Sequence, residues 1–187
     1  MSDKKRIYFS REEMFEMNRD RLLERGVTIE DIAIIAFRQQ GKYNPDISLA
    51  TCIESVEKIL SYRDIFHIVQ LGIEIDRLTE EGVFRSPIQD IMRADLGMFG
   101  IDEILGLNIA SMYGVIGQTN FGDIDVNKPG IVKKLNDDGK GKQCHTFLDD
   151  IVGALAAAAS TRVAQIMSED EAKRDPHYTP IKLDLKD

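Results

Sequence analysis

Small residues recur every fourth position in two apolar stretches of this chain: Gly106, Ala110 and Gly114 in the first, Gly153 with Ala157 and Ala154 with Ala158 in the second. That period puts them along one face of a helix, and a face without bulky side chains lets a second backbone approach closely. The two stretches are therefore expected to be mates, one helix beginning near Ile101 and the other covering about residues 145–167. Ten of the 14 glycines fall between Gly97 and Gly153, so the closely packed part should begin near Gly97.

Helix punctuation fills the remainder. Ser10 with Glu13 forms a capping box ahead of Phe15, Leu22 and Leu23, and Gly26 stands where the helix should stop. Residues 28–40 carry Ile29, Ile32, Ala33 and Ala36 on one face and close at Gly41, and a third helix begins at Ser48. A fourth, over residues 63–81, gathers its polar residues His67, Gln70, Glu74, Arg77 and Glu81 in one stripe and should be largely buried. Ser86-Pro87 reads as an N-cap with proline at the first helical position, opening a short helix that Gly97 and Gly100 end, and another short helix follows Pro129. No run alternates with a period of two, so no strand is required. The expectation is an all-α compact bundle of seven or eight helices in a single domain over residues 1–187. It has a helical part at 1–96, a core at 97–167 with the two glycine- and alanine-rich helices near its centre, and an irregular tail at 174–187.

Composition narrows the function. With 43% hydrophobic and 30% charged residues the chain is that of an ordinary packed protein, and its net charge of -8 argues against nucleic acid as a partner. Cys52 and Cys144 are too far apart for zinc-ligand spacing, which points to a reducing compartment. Residues 1–9 show no apolar segment of the signal-peptide kind, and the longest apolar run is the nine residues 151–159. The expected location is the cytoplasm, with at most peripheral contact at the inner face of the membrane. The fourth and last helices carry more apolar surface than one chain of this size should cover, so a homo-oligomer is expected.

Four acidic spots lie near the glycine-rich helices: Asp102 with Glu103, Asp123, Asp125, and Asp149 with Asp150. Helix capping accounts for either pair alone. Two pairs at the starts of two mated helices ask for more. The 27 residues 118–144 are enough for the chain to return and lay the last helix parallel to the earlier one, with both pairs at the same end. Gathered carboxylates repel unless protons or a cation compensate, which suggests Mg2+, with Mn2+ as the alternative. Lys128, Lys133, Lys134, Lys140 and Lys142 fall within fifteen residues against only Asp137 and Asp138, a composition suited to phosphate or anionic lipid. Lys128, beside the acids, is the member expected at a phosphate.

Sharper motifs fail. Asp123-Ile-Asp125-Val lacks the strand and the Thr or Val of a haloacid-dehalogenase nucleophile, and an EF-hand loop would put Lys128 at its glycine and Lys134 at its glutamate. Asp150, not arginine, stands six residues after Cys144, so Cys144 and His145 are expected to pack or to start a helix. No Walker loop occurs.

Three blocks in order resemble a known family: Asp102-Glu103-Ile104-Leu105-Gly106, Asp125-Val126-Asn127-Lys128-Pro129, and Asp149-Asp150-Ile151-Val152-Gly153-Ala154. They are similar to the D-E-x-x-G, D-I-x-K-P and D-D-x-x-A-G blocks of phosphatidylglycerophosphatase A, over residues 101–159. The resemblance implies a magnesium-dependent phosphomonoesterase converting phosphatidylglycerophosphate to phosphatidylglycerol and phosphate. It implies catalytic roles for Asp125, Asp149 and Asp150, metal ligation by Asp102, Glu103, Asp149 and Asp150, and phosphate binding by Lys128. The membrane spans and amino-terminal glycine-rich motif of enterobacterial members are missing, and Gly122 stands nearest the family's arginine, which points to a soluble all-helical Gram-positive branch. Two other readings compete. An all-α nucleotide pyrophosphohydrolase would use Glu54 and Glu57 as its E-x-x-E, but no E-x-x-D follows. A non-enzymatic oligomeric interaction protein would keep the core without the chemistry, and a metal titration would separate it from both enzymes.

Overall fold

The local signals act where the sequence puts them. In the computed structural model, which describes residues 7–97, 99–138, 143–177 and 179, Ser10 Oγ accepts from the Glu13 amide at 3.2 Å and Glu13 Oε2 from the Ser10 amide at 2.7 Å, opening α1 (Arg11–Glu24). Gly26, at φ +77°, ends it. There the Gly26 amide donates to the Leu23 carbonyl and the Val27 amide to that of Leu22, closing the orphan carbonyls under two buried side chains, Leu22 and Val27. Thr28 and Asp31 form a second capping box ahead of α2 (Ile29–Gln40), and Ser48 caps α3 (Leu49–Leu60). α4 (Arg63–Glu80) follows, with Ile65, Val69, Gly72 and Asp76 on its buried face and Leu71 left exposed.

Further along, the structure corrects several boundaries. Pro87, not Ser86, takes the N-cap position of α5 (Ile88–Arg93), which stops before Gly97. Gly100, at φ +81°, is instead the N-cap of α6 (Ile101–Ser111). Gly114 does not continue the stripe of Gly106 and Ala110. Its φ of +69° breaks the helix and opens α7 (Gly114–Asn127), so much of the expected connection 118–144 is itself helical. The turn is that tight because Gly117 passes against the Ala110 carbonyl, where a Cβ has no room. α8 (Ile131–Asp138) follows Pro129 as expected, and α9 (Leu148–Arg174) begins three residues later and ends seven later than the sequence suggested. The described residues thus form nine helices and no strand.

α9 is the axis. It is buried from Leu148 to Thr161 on every side, as its apolar circumference demands, with α6 and α7 against one flank and α2 and α3 against the other. By length and composition it could cross a bilayer, but 67% of its most apolar window lies inside its own fold. The apolar turns 148–161 of α9 are covered within one chain and so supply no surplus surface for an oligomer. α6 runs parallel to it from the same end. α7 returns antiparallel, with Asn120 Nδ2 donating to Thr161 Oγ1 at 3.0 Å and Lys128 Nζ to Asp149 Oδ2 at 3.0 Å. The amino-terminal helices join by buried polar ties, Gln40 Nε2 to Ser160 Oγ at 2.9 Å and Arg162 Nη1 to Ser55 Oγ at 2.9 Å.

The close approach of α6 and α9 is concentrated at Gly106, where a Cβ would stand 3.0 Å from the Asp150 carbonyl oxygen and 2.9 Å from the Phe121 ring. Gly106→Leu should therefore cost about 1–3 kcal/mol by overpacking. Gly122, inside α7 with nothing within 4 Å of a built Cβ, is the contrast. Gly122→Ala should stabilise by about 0.5–1 kcal/mol through backbone entropy alone. Urea titrations of both variants check the pair.

Candidate active site

At the end of the bundle where α6 and α9 both begin, the parallel arrangement brings their first turns together. Oxygens of Asp102, Glu103 and Asp150 all lie within 4.8 Å of one another. Asp102, Asp149 and Asp150 keep only 6%, 5% and 4% of their surface exposed. Capping accounts for one oxygen each of Asp102 and Asp149, which accept from the Glu103 and Asp150 amides at 3.0 Å. It leaves the rest of the charge unexplained. Glu103 Oε2 is buried without a hydrogen-bond partner among the described residues.

Lys128 enters from the carboxyl end of α7. Its Nζ lies 2.8 Å from Asp125 Oδ1, 3.0 Å from Asp149 Oδ2 and 3.6 Å from Asp150 Oδ1. Although burial works against the charged amine, the carboxylates of Asp149, Asp125 and Asp150 outweigh it and hold its pKa above the usual lysine value. One ammonium does not balance the group. Burial, then the Asp149 charge, pushes the Asp150 carboxyl up to about 9, and burial with a bond to Glu103 takes Asp102 to about 7. Asp149 rises to about 6, from burial first and against the pull of Lys128.

The site residues read from the sequence thus divide. Asp102, Glu103, Asp125, Lys128, Asp149 and Asp150 come together, with Asp125 and Lys128 at the more open rim. Asp123 turns away, its carboxylate taken by Asn127 Nδ2 and Gln39 Nε2. Lys133 pairs with Asp137 on the exposed side of α8, Lys134 is exposed, and Lys140 and Lys142 lie outside the described residues. Glu54 and Glu57 face solvent on α3, apart from the cluster. Cys144 is buried at the approach to α9, its thiol pushed up to about 11 by burial and by Asp76, which keeps it inert as expected.

Two residues escaped the sequence reading. Asp95, in the turn after α5 at φ +47°, adds its negative charge to the field at Asp149. An acid between the short helix and a glycine was the available signal. Asp76 is fully buried in α4 and accepts from the Phe147 and Leu148 amides at 3.1 and 3.0 Å. It closes the amino end of α9 from another helix, and its carboxyl is held well above the ordinary range by burial. An acid on the otherwise apolar face of α4 was the signal there.

The donor set is all carboxylate oxygen, buried at Asp102, Asp149 and Asp150 and half-buried at Glu103, with one buried oxygen of Glu103 unpartnered among the described residues. It fits a hard divalent ion of the magnesium or manganese kind. Comparison with known proteins covers the same part of the chain. The family model described as phosphatidylglycerophosphatase A matches residues 34–165. The uncharacterized protein YpjQ of Bacillus subtilis is 45% identical over 170 residues, 89% of this chain and 95% of that protein. YutG of the same organism is 47% identical over 146 residues, 78% of this chain and 87% of it. The crystal structure of the low temperature requirement C protein from Listeria monocytogenes is similar at a TM-score of 0.79 and 46% identity, covering 83% of this chain and 97% of that one.

In the unfolded chain these carboxyls titrate near 4, whereas in the fold Asp149, Asp102 and Asp150 keep their protons to about 6, 7 and 9. Between those limits the folded state binds more protons than the unfolded, so stability falls as pH rises. The melting temperature of the metal-free protein should drop from pH 5 to pH 9, and Asp150→Asn should flatten that slope. Asp76→Ala, which leaves two buried amides open, should cost about 2–4 kcal/mol, read by urea unfolding at pH 7.

Proposed function

The chain belongs to the phosphatidylglycerophosphatase A family, and from that premise we propose that it is a magnesium-dependent phosphomonoesterase that hydrolyses phosphatidylglycerophosphate to phosphatidylglycerol and inorganic phosphate. The observation that carries the reading is the set of buried Asp102, half-buried Glu103 and buried Asp150, whose oxygens lie within 4.8 Å of one another beside the Lys128 ammonium. Asp102, Glu103, Asp149 and Asp150 would hold Mg2+, or Mn2+ in its place. A bound ion supplies positive charge against the phosphate and lowers the pKa of a water.

The chain's own groups do the remainder. Asp125, with about a third of its side chain exposed at the rim, accepts the proton of the attacking water as general base. Lys128 reaches from Asp125 to Asp149 and donates to a phosphate oxygen; as the water oxygen bonds to phosphorus the P–O bond to the glycerol breaks, and the proton taken by Asp125 passes to the departing glycerol oxygen. Asp149 fixes the lysine, and its near-complete burial keeps the pair from swinging into solvent. In this reading the protein works from the cytoplasm at the inner face of the membrane, with Lys133 and Lys134, both exposed on α8, meeting the anionic surface.

Phosphate release from phosphatidylglycerophosphate in detergent micelles, with magnesium and with chelator, tests the activity. Asp149→Asn and Asp150→Asn should each lower kcat by at least about 100-fold while the circular dichroism stays that of the parent. Magnesium at a hundred times its Kd should stabilise the parent by about 2.7 kcal/mol. Stability indifferent to metal, with both asparagine variants behaving like the parent, would overturn the enzyme in favour of an interaction protein. Binding to phosphatidylglycerol vesicles should weaken with salt and with Lys133→Gln plus Lys134→Gln.

A further inference from the structure

Residues 104–122 contain no Asp, Glu, Lys or Arg, although 30% of the chain is charged. This uncharged stretch is not buried. The outer face of α6 and the corner into α7 present Ile101, Ile104, Leu107, Met112, Val115 and Ile116 to solvent, from 38% exposed at Leu107 to 75% at Val115. Scattered apolar residues need no explanation, but a continuous row along one helix and its following turn does.

We propose that this face is where two copies of the chain associate about a two-fold axis. Charge decides between occupants. An anionic bilayer is met with lysine and arginine, and this stretch has neither, while Asp102, Glu103 and Asp123 bound it at its two ends. Two copies of a chain of net charge -8 repel over most of their surfaces. Across these 19 residues two copies can meet with no charged side chain of the stretch itself between them. Shape agrees. Beside the protruding Val115 lies a groove of about 620 Å³ between α7 and α9, lined by Tyr113, Ile116 and Ala164, with Glu169 its one charged lining residue. A ridge next to a groove on one face is the self-complementary pairing that a two-fold interface requires, each ridge entering the other copy's groove. Ile101 and Ile104 flank Asp102 and Glu103 in the chain, so the interface borders the carboxylate cluster without using it. The proposal does not depend on the phosphatase reading.

Sedimentation velocity at micromolar concentration is the test, with the parent expected at twice the 21.1 kDa chain mass. Val115→Glu and Ile104→Glu should each give the monomer, with unchanged circular dichroism because both side chains already face solvent. Val115→Ser, which adds no charge, should raise the dimer dissociation constant at least about tenfold, the effect of a lost 1.4 kcal/mol. A monomeric parent overturns the proposal, and a monomeric parent that co-sediments with phosphatidylglycerol vesicles through Val115 and Ile104 assigns the face to lipid instead. A dimer unaffected by both glutamate variants shows that the copies meet elsewhere.

Discussion

Asp76 holds the amino end of α9, and most of the architecture depends on that contact. An α-helix begins with amides that have no partner inside the helix, and a helix end buried without caps is unfavourable. Here the N-cap is Phe147, which has no oxygen to offer. The Asp76 carboxylate reaches across from α4 instead and takes the amides of Phe147 and Leu148. A second tie lies just outside it. Glu80 Oε1 accepts from the Cys144 amide at 2.7 Å, and Arg25 Nη2 reaches both Glu80 and the Cys144 carbonyl at 2.6 Å. The segment entering α9 is thereby fixed by α1 and α4 before its first turn, and the positions of Asp149 and Asp150 follow from it.

Once that end is set, the small residues determine how near the other acids can come. Gly106 lets α6 lie against the Asp150 carbonyl, so the first turn of α6 stands level with the first turn of α9. A larger residue at Gly106 would push Asp102 and Glu103 away from Asp150, relieving repulsion and losing the cluster with it. The fold thus accepts a local electrostatic cost, met in part by Lys128 and otherwise by retained protons, to build a group of oxygens with room for one more positive charge.

The helices were legible because their signals are local. The capping box at Ser10, the αL glycine at Gly26 and the cap at Ser48 each act within a few residues, and the sequence states them directly. The mating of α6 with α9 was legible from the small-residue period, and with it the coincidence of Asp102, Glu103, Asp149 and Asp150. What the sequence hid depends on distance along the chain. Gly114 matches the period of Gly106 and Ala110 but belongs to a reversal, because only the packing of Gly117 over Ala110 makes a helix break there favourable. Asp76 stands off the polar stripe of α4, but nothing near it in sequence shows its purpose, since the amides it serves lie some seventy residues later. Asp95, in the turn after α5, bears on Asp149 through its charge alone, across more than fifty residues of sequence.

Backbone conformation singles out the same region independently of its charges. Among the described residues just two that are not glycine have a positive φ in the left-handed region, Lys128 at +42° and Asp95 at +47°. The backbone alone would favour glycine at each, because a Cβ in that conformation costs on the order of 1 kcal/mol. Lys128 is also the C-cap of α7, next to Pro129, close to where a helix end most often uses glycine. Glycine would satisfy the turn and lose the ammonium. The two strained positions lie on separate elements, yet both side chains bear on Asp149, one as its ion pair and the other as a like charge. Strain kept at two unrelated turns, converging on one buried carboxylate, follows if the side chains are wanted there for what they do to that carboxylate rather than for the turns they make.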